Sequence, residues 1–440
     1  MSVPSKANSL FSGLPLWTEA TRLLRSAQAL SWLDQGLVSA TSFLGLVLVA
    51  RWADPAALGI FVFGLSIVAI LLAVLDALVV RPYTVRLYRP DISVDQRTSQ
   101  AFWLTMALCA VSAALLATAC AISVRTGAQL NVQHVLLALA LASPCLLLRE
   151  FARKHAYAHL SVRGALLISS PACLLTLAML ALLGLNDALT ASSAIGAIGI
   201  ASAVSASVWL VRNTSLQKPE LREGWRQSWQ LGKWLLAAQA AIQAQAYATP
   251  WVTLVLGGAS MAGVYAACAS IVGCANPLLY GLFNVLIPQS SRAFHEGGVT
   301  ALRQKAMHST LRLSVVMGVF CLALALFGGW LMSLLFPPEY RNHGEIIVIL
   351  ALAAWAGALG APASIALAAA ERAGAVALVV GATALINLGL IVMLLPWGGL
   401  LGAAIATLAA ELVGSLARWA AFLVLVKNAP EPAALKVAAG

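Results

Sequence analysis

The sequence predicts an all-α polytopic membrane protein: twelve transmembrane helices in two parallel-repeat six-helix bundles around a central cavity. Three observations predict it. Twelve apolar stretches are each long enough to cross a bilayer, 24 of the 27 Lys and Arg residues fall in alternate gaps between them or at the two ends of the chain, and the second half repeats the pattern of the first. The stretches lie at 29–50, 57–80, 101–124, 132–148, 160–184, 188–211, 233–256, 260–286, 311–336, 345–369, 373–396 and 400–426. A hydrocarbon core of roughly 30 Å needs about 20 residues of helix, and these lengths match it. Composition agrees, at 61% hydrophobic and 10% charged residues, against about 25% charged in a soluble domain.

Charge sets the orientation. The N-terminal arm and the even-numbered gaps carry the basic residues, from Arg81, Arg86, Arg89 and Arg97 in the second to Arg292, Arg303, Lys305 and Arg312 in the eighth. Only Arg51, Arg125 and Arg341 lie on the other side. Basic loops stay cytoplasmic, so the chain is expected in the bacterial cytoplasmic (inner) membrane with both termini inside. The net charge of +11 is spread over these short loops, where it meets anionic headgroups, and no nucleic-acid partner is expected. The expected units are a cytoplasmic amphipathic arm (1–28), an N-terminal bundle (29–211), a polar cytoplasmic linker (212–232), a C-terminal bundle (233–426) and a cytoplasmic tail (427–440). In the arm, Trp17, Leu23 and Leu24 against Arg22 and Arg25 suit a helix lying on the leaflet. No cleavable signal peptide is expected. The seven cysteines lie within spans and show neither a bridge nor a metal-ligand spacing. No P-loop is present.

The repeat is visible in two stretches. LVLVARWADPAALGIFVFGLSI runs from Leu46 to Ile67, and VTLVLGGASMAGVYAACASI from Val252 to Ile271. Gly59-x-Phe61 falls on Gly263-x-Tyr265, each opening a helix after a tight outer turn. Six spans return the chain to its starting side, so the halves share one orientation and are related by an axis along the membrane normal.

Ionisable residues inside spans are expensive and mark transport paths. Asp34 lies about 8 Å into the first span at 1.5 Å per residue. Asp76 is within reach of Arg81, and Arg149, Glu150 and Arg153 close the fourth span. Glu411 is the deepest, near the middle of the twelfth span, with Arg418 two turns further in and no cation adjacent, and is the candidate for ion coupling. Gln239 and Gln243 share a face of the seventh span, and Asn276, Tyr280 and Asn284 repeat the same spacing in the eighth. Amides and a phenol in line suit hydroxyl-rich ligands. Arg forks suit a diphosphate, which makes Arg81, Arg149, Arg153 and Arg312 candidates for it. Each of these has a plainer alternative as an ion-paired or helix-packing residue.

Several stretches together resemble the multidrug/oligosaccharidyl-lipid/polysaccharide exporter superfamily, and within it the Wzx-type flippases for O-antigen and exopolysaccharide repeat units. They are ARWADPAALGIFVFGLSI, LLLREFARKHAYAHLSVRGALLIS, GGASMAGVYAACASIVGCANPLLYGLFNVLIPQSSRAF and the terminal GGLLGAAIATLAAEL. The resemblance covers about residues 25–426. It implies a transporter rather than an enzyme, moving an undecaprenyl-diphosphate-linked oligosaccharide to the periplasmic leaflet by alternating access. Its partners would be the lipid-linked glycan, membrane lipids, a polysaccharide polymerase and glycosyltransferases. No cofactor is implied, and coupling to protons or sodium is left open. A cation-coupled multidrug antiporter of the related extrusion family is the alternative. A polymerase or ligase is disfavoured because every outer gap is short.

Overall fold

A computed structural model describes residues 15–88, 92–127, 129–212 and 221–427; among them the secondary structure is helical, without strands. The first half contains α1 (Pro15–Trp52), α2 (Pro55–Leu75), α3 (Arg81–Arg86), α4 (Val94–Arg125), α5 (Leu130–Ala158), α6 (Val162–Leu185) and α7 (Ala191–Arg212). The second contains α8 (Leu221–Gly257), α9 (Ala259–Gly273), α10 (Asn276–Leu335), α11 (Gly344–Ala369) and α12 (Ala373–Lys427). α1 runs unbroken from Pro15 into the first span, and α8 begins at Leu221, inside the stretch expected to be linker.

Two helices are too long to be single spans. α10 has 60 residues and α12 has 55. Both turn at a glycine with non-helical torsions, Gly298 (φ 62°, ψ −154°) and Gly399 (φ 54°, ψ −138°). A positive φ is open to glycine at no steric cost. The packing shows reversal rather than a bend. Leu279, Leu282 and Phe283 sit against Leu313 and Met317, residues that a straight helix would hold some 45 Å apart. A Cβ on Gly402 would overlap the carbonyl of Leu394. Each helix is therefore two spans. The eighth span is itself broken between Gly273 and Asn276, with Pro277 in the first turn of α10, where its missing N–H costs nothing. The count is twelve helices in two six-span repeats.

The halves echo each other in packing: α1 lies on α6 as α8 lies on α12. One large core runs through both halves, from Val47 and Phe61 to Ile347 and Ala403, and a second sits at the basic end of the first half around Phe102, Phe151 and Trp209.

A candidate transport cavity and its seal

On the face opposite the basic loops, α2 and α9 meet at their N-terminal turns. Asp54 caps α2, its Oδ1 accepting from the Ala57 N–H at 2.6 Å, with Pro55 in the first turn. The closest approach is reciprocal. A Cβ at Gly59 would overlap the carbonyl oxygen of Ala259, and one at Gly263 would overlap that of Pro55. The two glycines aligned by the sequence repeat thus pack on each other's helices. Small residues let backbones approach this closely in lipid. Two contacts reinforce the seal. The Arg51 guanidinium donates to the carbonyls of Leu335 (3.0 Å) and Leu334 (2.5 Å), the final residues of α10, where the helix dipole favours a cation. The Trp251 indole donates to Ser66 Oγ at 2.7 Å, and its ring lies 5.7 Å from Phe63. Beside the seal, Tyr340 is fully buried against Phe336. Burial pushes its phenol up, with the Asp54 and Glu339 carboxylates adding to the shift.

Nearer the basic face, the first half encloses a charged network. Asp34 is fully buried. Its Oδ2 accepts from Arg153 Nη1 at 2.7 Å and from the Tyr157 hydroxyl at 2.7 Å. Arg153 also donates Nε and Nη2 to the two oxygens of Glu150, each at 3.2 Å, and Lys154 stands 4.0 Å from Glu150. One guanidinium therefore bridges two carboxylates with forked geometry. Arg149 is half-buried one residue before Glu150, and among the described residues it donates no hydrogen bond to a carboxylate.

Across from α5, Asp76 and Arg81 pair at 2.6 Å. The sequence brings them near, and a feature it did not reveal aligns them. Residues Asp76–Val80 form a π-helical turn, whose i→i+5 bonding places residues five apart above one another. Asp76, Glu150, Lys154, Gln239 and Gln243 line one cavity of about 270 Å³. It adjoins a second of about 450 Å³, which shares Asp76 and Lys154 and reaches Arg81 and Tyr157. A third, apolar cavity of about 660 Å³ shares Gln239 and Gln243 with the first and extends along α8 between α2 and α12.

In the second half the structure corrects an expectation. Glu411 is not without a cation: Arg418, two turns along α12, donates Nη2 to Oε2 at 3.0 Å, and Gln245 donates to Oε1 at 2.7 Å. The pair fits because α11 presents Gly357 and Gly360 to it, where a Cβ would come within 2.8 Å of Glu411 and 2.7 Å of Arg418. An ion pair in low dielectric is costly to break from one side. Arg418→Met is expected to destabilise the protein by about 3 kcal/mol, and Glu411→Gln in the same chain to recover most of that loss. Thermal midpoints of the single and double variants in detergent check this.

The remaining candidates separate. Gln239 and Gln243 line the cavity as their shared face predicts. Asn276 is exposed at the break in the eighth span, and Arg312 is exposed on the second arm of α10 without an ion pair among the described residues. The side chains of Tyr280 and Asn284 lie outside the described residues. Residue-by-residue reading missed Gln245, the bond from Tyr157 to Asp34 and a polar knot in the second half. In that knot Thr249 bonds Thr407 and accepts from Asn387, both at 3.2 Å. Tyr157 carried a signal, since it follows Arg153 by one helical turn on the same face. Among the described residues no group of His, Cys, Asp and Glu could hold a metal ion.

No protein-family description matches this chain, and no curated relative matches it. Solved structures do. A multidrug resistance MATE family transporter of the MOP superfamily, in an inward-facing conformation, is 13% identical with a TM-score of 0.76, covering 88% of this chain and 94% of that one. An outward-facing multidrug resistance MATE family transporter is 12% identical with a TM-score of 0.65, covering 91% and 94%. A MOP superfamily transporter from Pyrococcus furiosus, whose reversed binding-pocket polarity suggests a different function for it, is 12% identical with a TM-score of 0.66, covering 91% and 94%. The chain shares the twelve-helix fold of these proteins.

Proposed function

We propose that the protein is a flippase that carries undecaprenyl-diphosphate-linked oligosaccharide repeat units across the inner membrane by alternating access, in surface or extracellular polysaccharide synthesis. The observation that carries this reading is the charge of the network in and behind the cavity wall. Asp76, Glu150, Arg81 and Lys154 line the cavities, while the buried Asp34 lies behind them with Arg153 and Arg149. Each of the three carboxylates bonds to an arginine, and four cations stand against three acids, so the network as a whole carries one positive charge beyond its acids. A drug-exporting antiporter for organic cations needs an acid free to meet its cargo. The network around this cavity instead holds one cation beyond its acids, which suits a diphosphate, and the cavity wall presents paired amides, which suit sugar hydroxyls.

A diphosphate with its sugars cannot cross hydrocarbon unaided, because an unpaired charge there costs several kcal/mol. The protein supplies a polar lumen, open at one face while α2 and α9 seal the other. The greater likeness to the inward-facing neighbour than to the outward-facing one supports a state open to the basic, cytoplasmic face. The antiporter reading retains the support of those same multidrug neighbours. Under it, Glu411 would have to leave Arg418 to bind a proton or sodium ion.

Deletion of the gene in the source bacterium tests the proposal. The expected result is loss of surface or secreted polysaccharide, with undecaprenyl-linked units retained inside. Normal polysaccharide in the deletion strain would refute it. In complementation, Arg149→Ala is expected to lower export several-fold while the amount of membrane-inserted protein is unchanged. Full export by that variant would return Arg149 to a packing role.

A further inference from the structure

The apolar cavity is unlike its charged neighbours in shape and depth. It follows α8 from Leu236 to Leu256, some 30 Å at 1.5 Å per residue, yet its volume is only about 660 Å³. It is therefore a slot, long and narrow, rather than a bowl. Its walls are largely apolar, with Ile70 and Val74 of α2 and Leu388 and Val392 of α12 facing α8, which adds the aromatic rings of Tyr247 and Trp251. Its far end is exposed, Val255 being 79% accessible there. At the near end, Ala73, Gln239 and Gln243 belong to both the slot and the charged cavity. Charge thus lies towards the basic face and hydrocarbon towards the membrane interior and beyond, the order found in one leaflet of a bilayer.

We propose that this slot holds the polyprenyl tail of the lipid-linked substrate while its diphosphate occupies the charged cavity, the two parts dividing at Gln239 and Gln243. The assignment deepens the flippase reading and rests on it. Three features select a single long chain over a compact drug: the slot's length, its exposed far end, and its continuity with a charged cavity that holds Lys154 beside the Arg153 network. Burial of apolar chain is worth about 0.8 kcal/mol per methylene against water, but a tail already in lipid gains little from that. Preference for one tail must come from packing and shape, as between helices in membranes.

Binding of two probes to the full-length protein in phosphatidylcholine–phosphatidylglycerol vesicles tests this. The probes are undecaprenyl diphosphate and farnesyl diphosphate, which share a headgroup and differ in chain length. Ordinary acyl chains are in large excess there, so a slot that takes any lipid shows no preference. The expected result is at least tenfold tighter binding of the long-chain probe. Ala244→Trp, at an exposed position in the slot wall, should abolish that preference while leaving affinity for a water-soluble sugar diphosphate unchanged. Ala240→Leu, a milder filling of the same wall, should reduce it in proportion. Equal affinity for both probes, or a preference untouched by either filled variant, overturns the assignment. These outcomes are separate from the deletion result. Loss of polysaccharide with no chain-length preference would leave the flippase standing and remove the slot's role. A chain-length preference in a strain with normal polysaccharide would keep the lipid site and remove the glycan cargo.

Discussion

Gly263→Val, and equally Gly59→Val, is expected to abolish transport with little loss of inserted protein. The added side chain has nowhere to go. Its first carbon would overlap the carbonyl of Pro55 from Gly263, or that of Ala259 from Gly59. Helices α2 and α9 must then separate, and overpacking of this kind costs about 1–3 kcal/mol. That energy falls on the sealed state alone, so it displaces the equilibrium between sealed and unsealed states by about 5–150-fold. The check is labelling from the opposite face by a membrane-impermeant maleimide at Val62→Cys, one turn from Gly59 on α2, with the exposed Cys274 replaced by Ser. Labelling should accelerate in both valine variants. Labelling at the parent rate, together with normal transport, would mean that these glycines do not form the seal.

Arg153→Ala is expected to be the most destabilising single change in the first half. It leaves the fully buried Asp34 with only the Tyr157 hydroxyl as donor among the described residues, and it removes the fork from Glu150. Breaking a buried pair from one side costs about 3–5 kcal/mol. The side chains of Arg153 and Asp34 are 12% and 0% exposed, so solvent screening recovers little of it. Arg153→Gln with Asp34→Asn should restore most of the stability, because two neutral amides can bond each other in the same space. Neither the single nor the double variant should transport, since both remove the guanidinium that holds Glu150 at the cavity wall. A fall in thermal midpoint for Arg153→Ala no larger than for a surface arginine would contradict the network. So would wild-type transport by the double variant.

Much of the fold was legible because a bilayer imposes a length and a charge rule that composition exposes directly. The twelve spans, the gaps and the paired glycines could be read in advance. That the glycines touch each other could not, since alignment of repeats says where residues correspond, not where helices cross. The Asp76–Arg81 pair was readable from spacing, but the π-helical turn that aligns it was not. Glu411 and Arg418 were seven residues apart on one helix, close enough to pair. The missing information was tertiary, because two glycines on α11 leave the room in which Arg418 folds back. Asp34 and Arg153 are 119 positions apart in sequence, and no local pattern joins them.

The charge of the lumen is the point on which the account turns, and reconstitution of the purified protein into vesicles tests it most directly. Two cargoes are offered in parallel: a fluorescent polyprenyl-diphosphate-linked oligosaccharide, and a fluorescent organic cation with an imposed proton or sodium gradient. The account predicts movement of the glycolipid between leaflets, and no gradient-driven accumulation of the cation. Uptake of the cation with the glycolipid left in its original leaflet would contradict it.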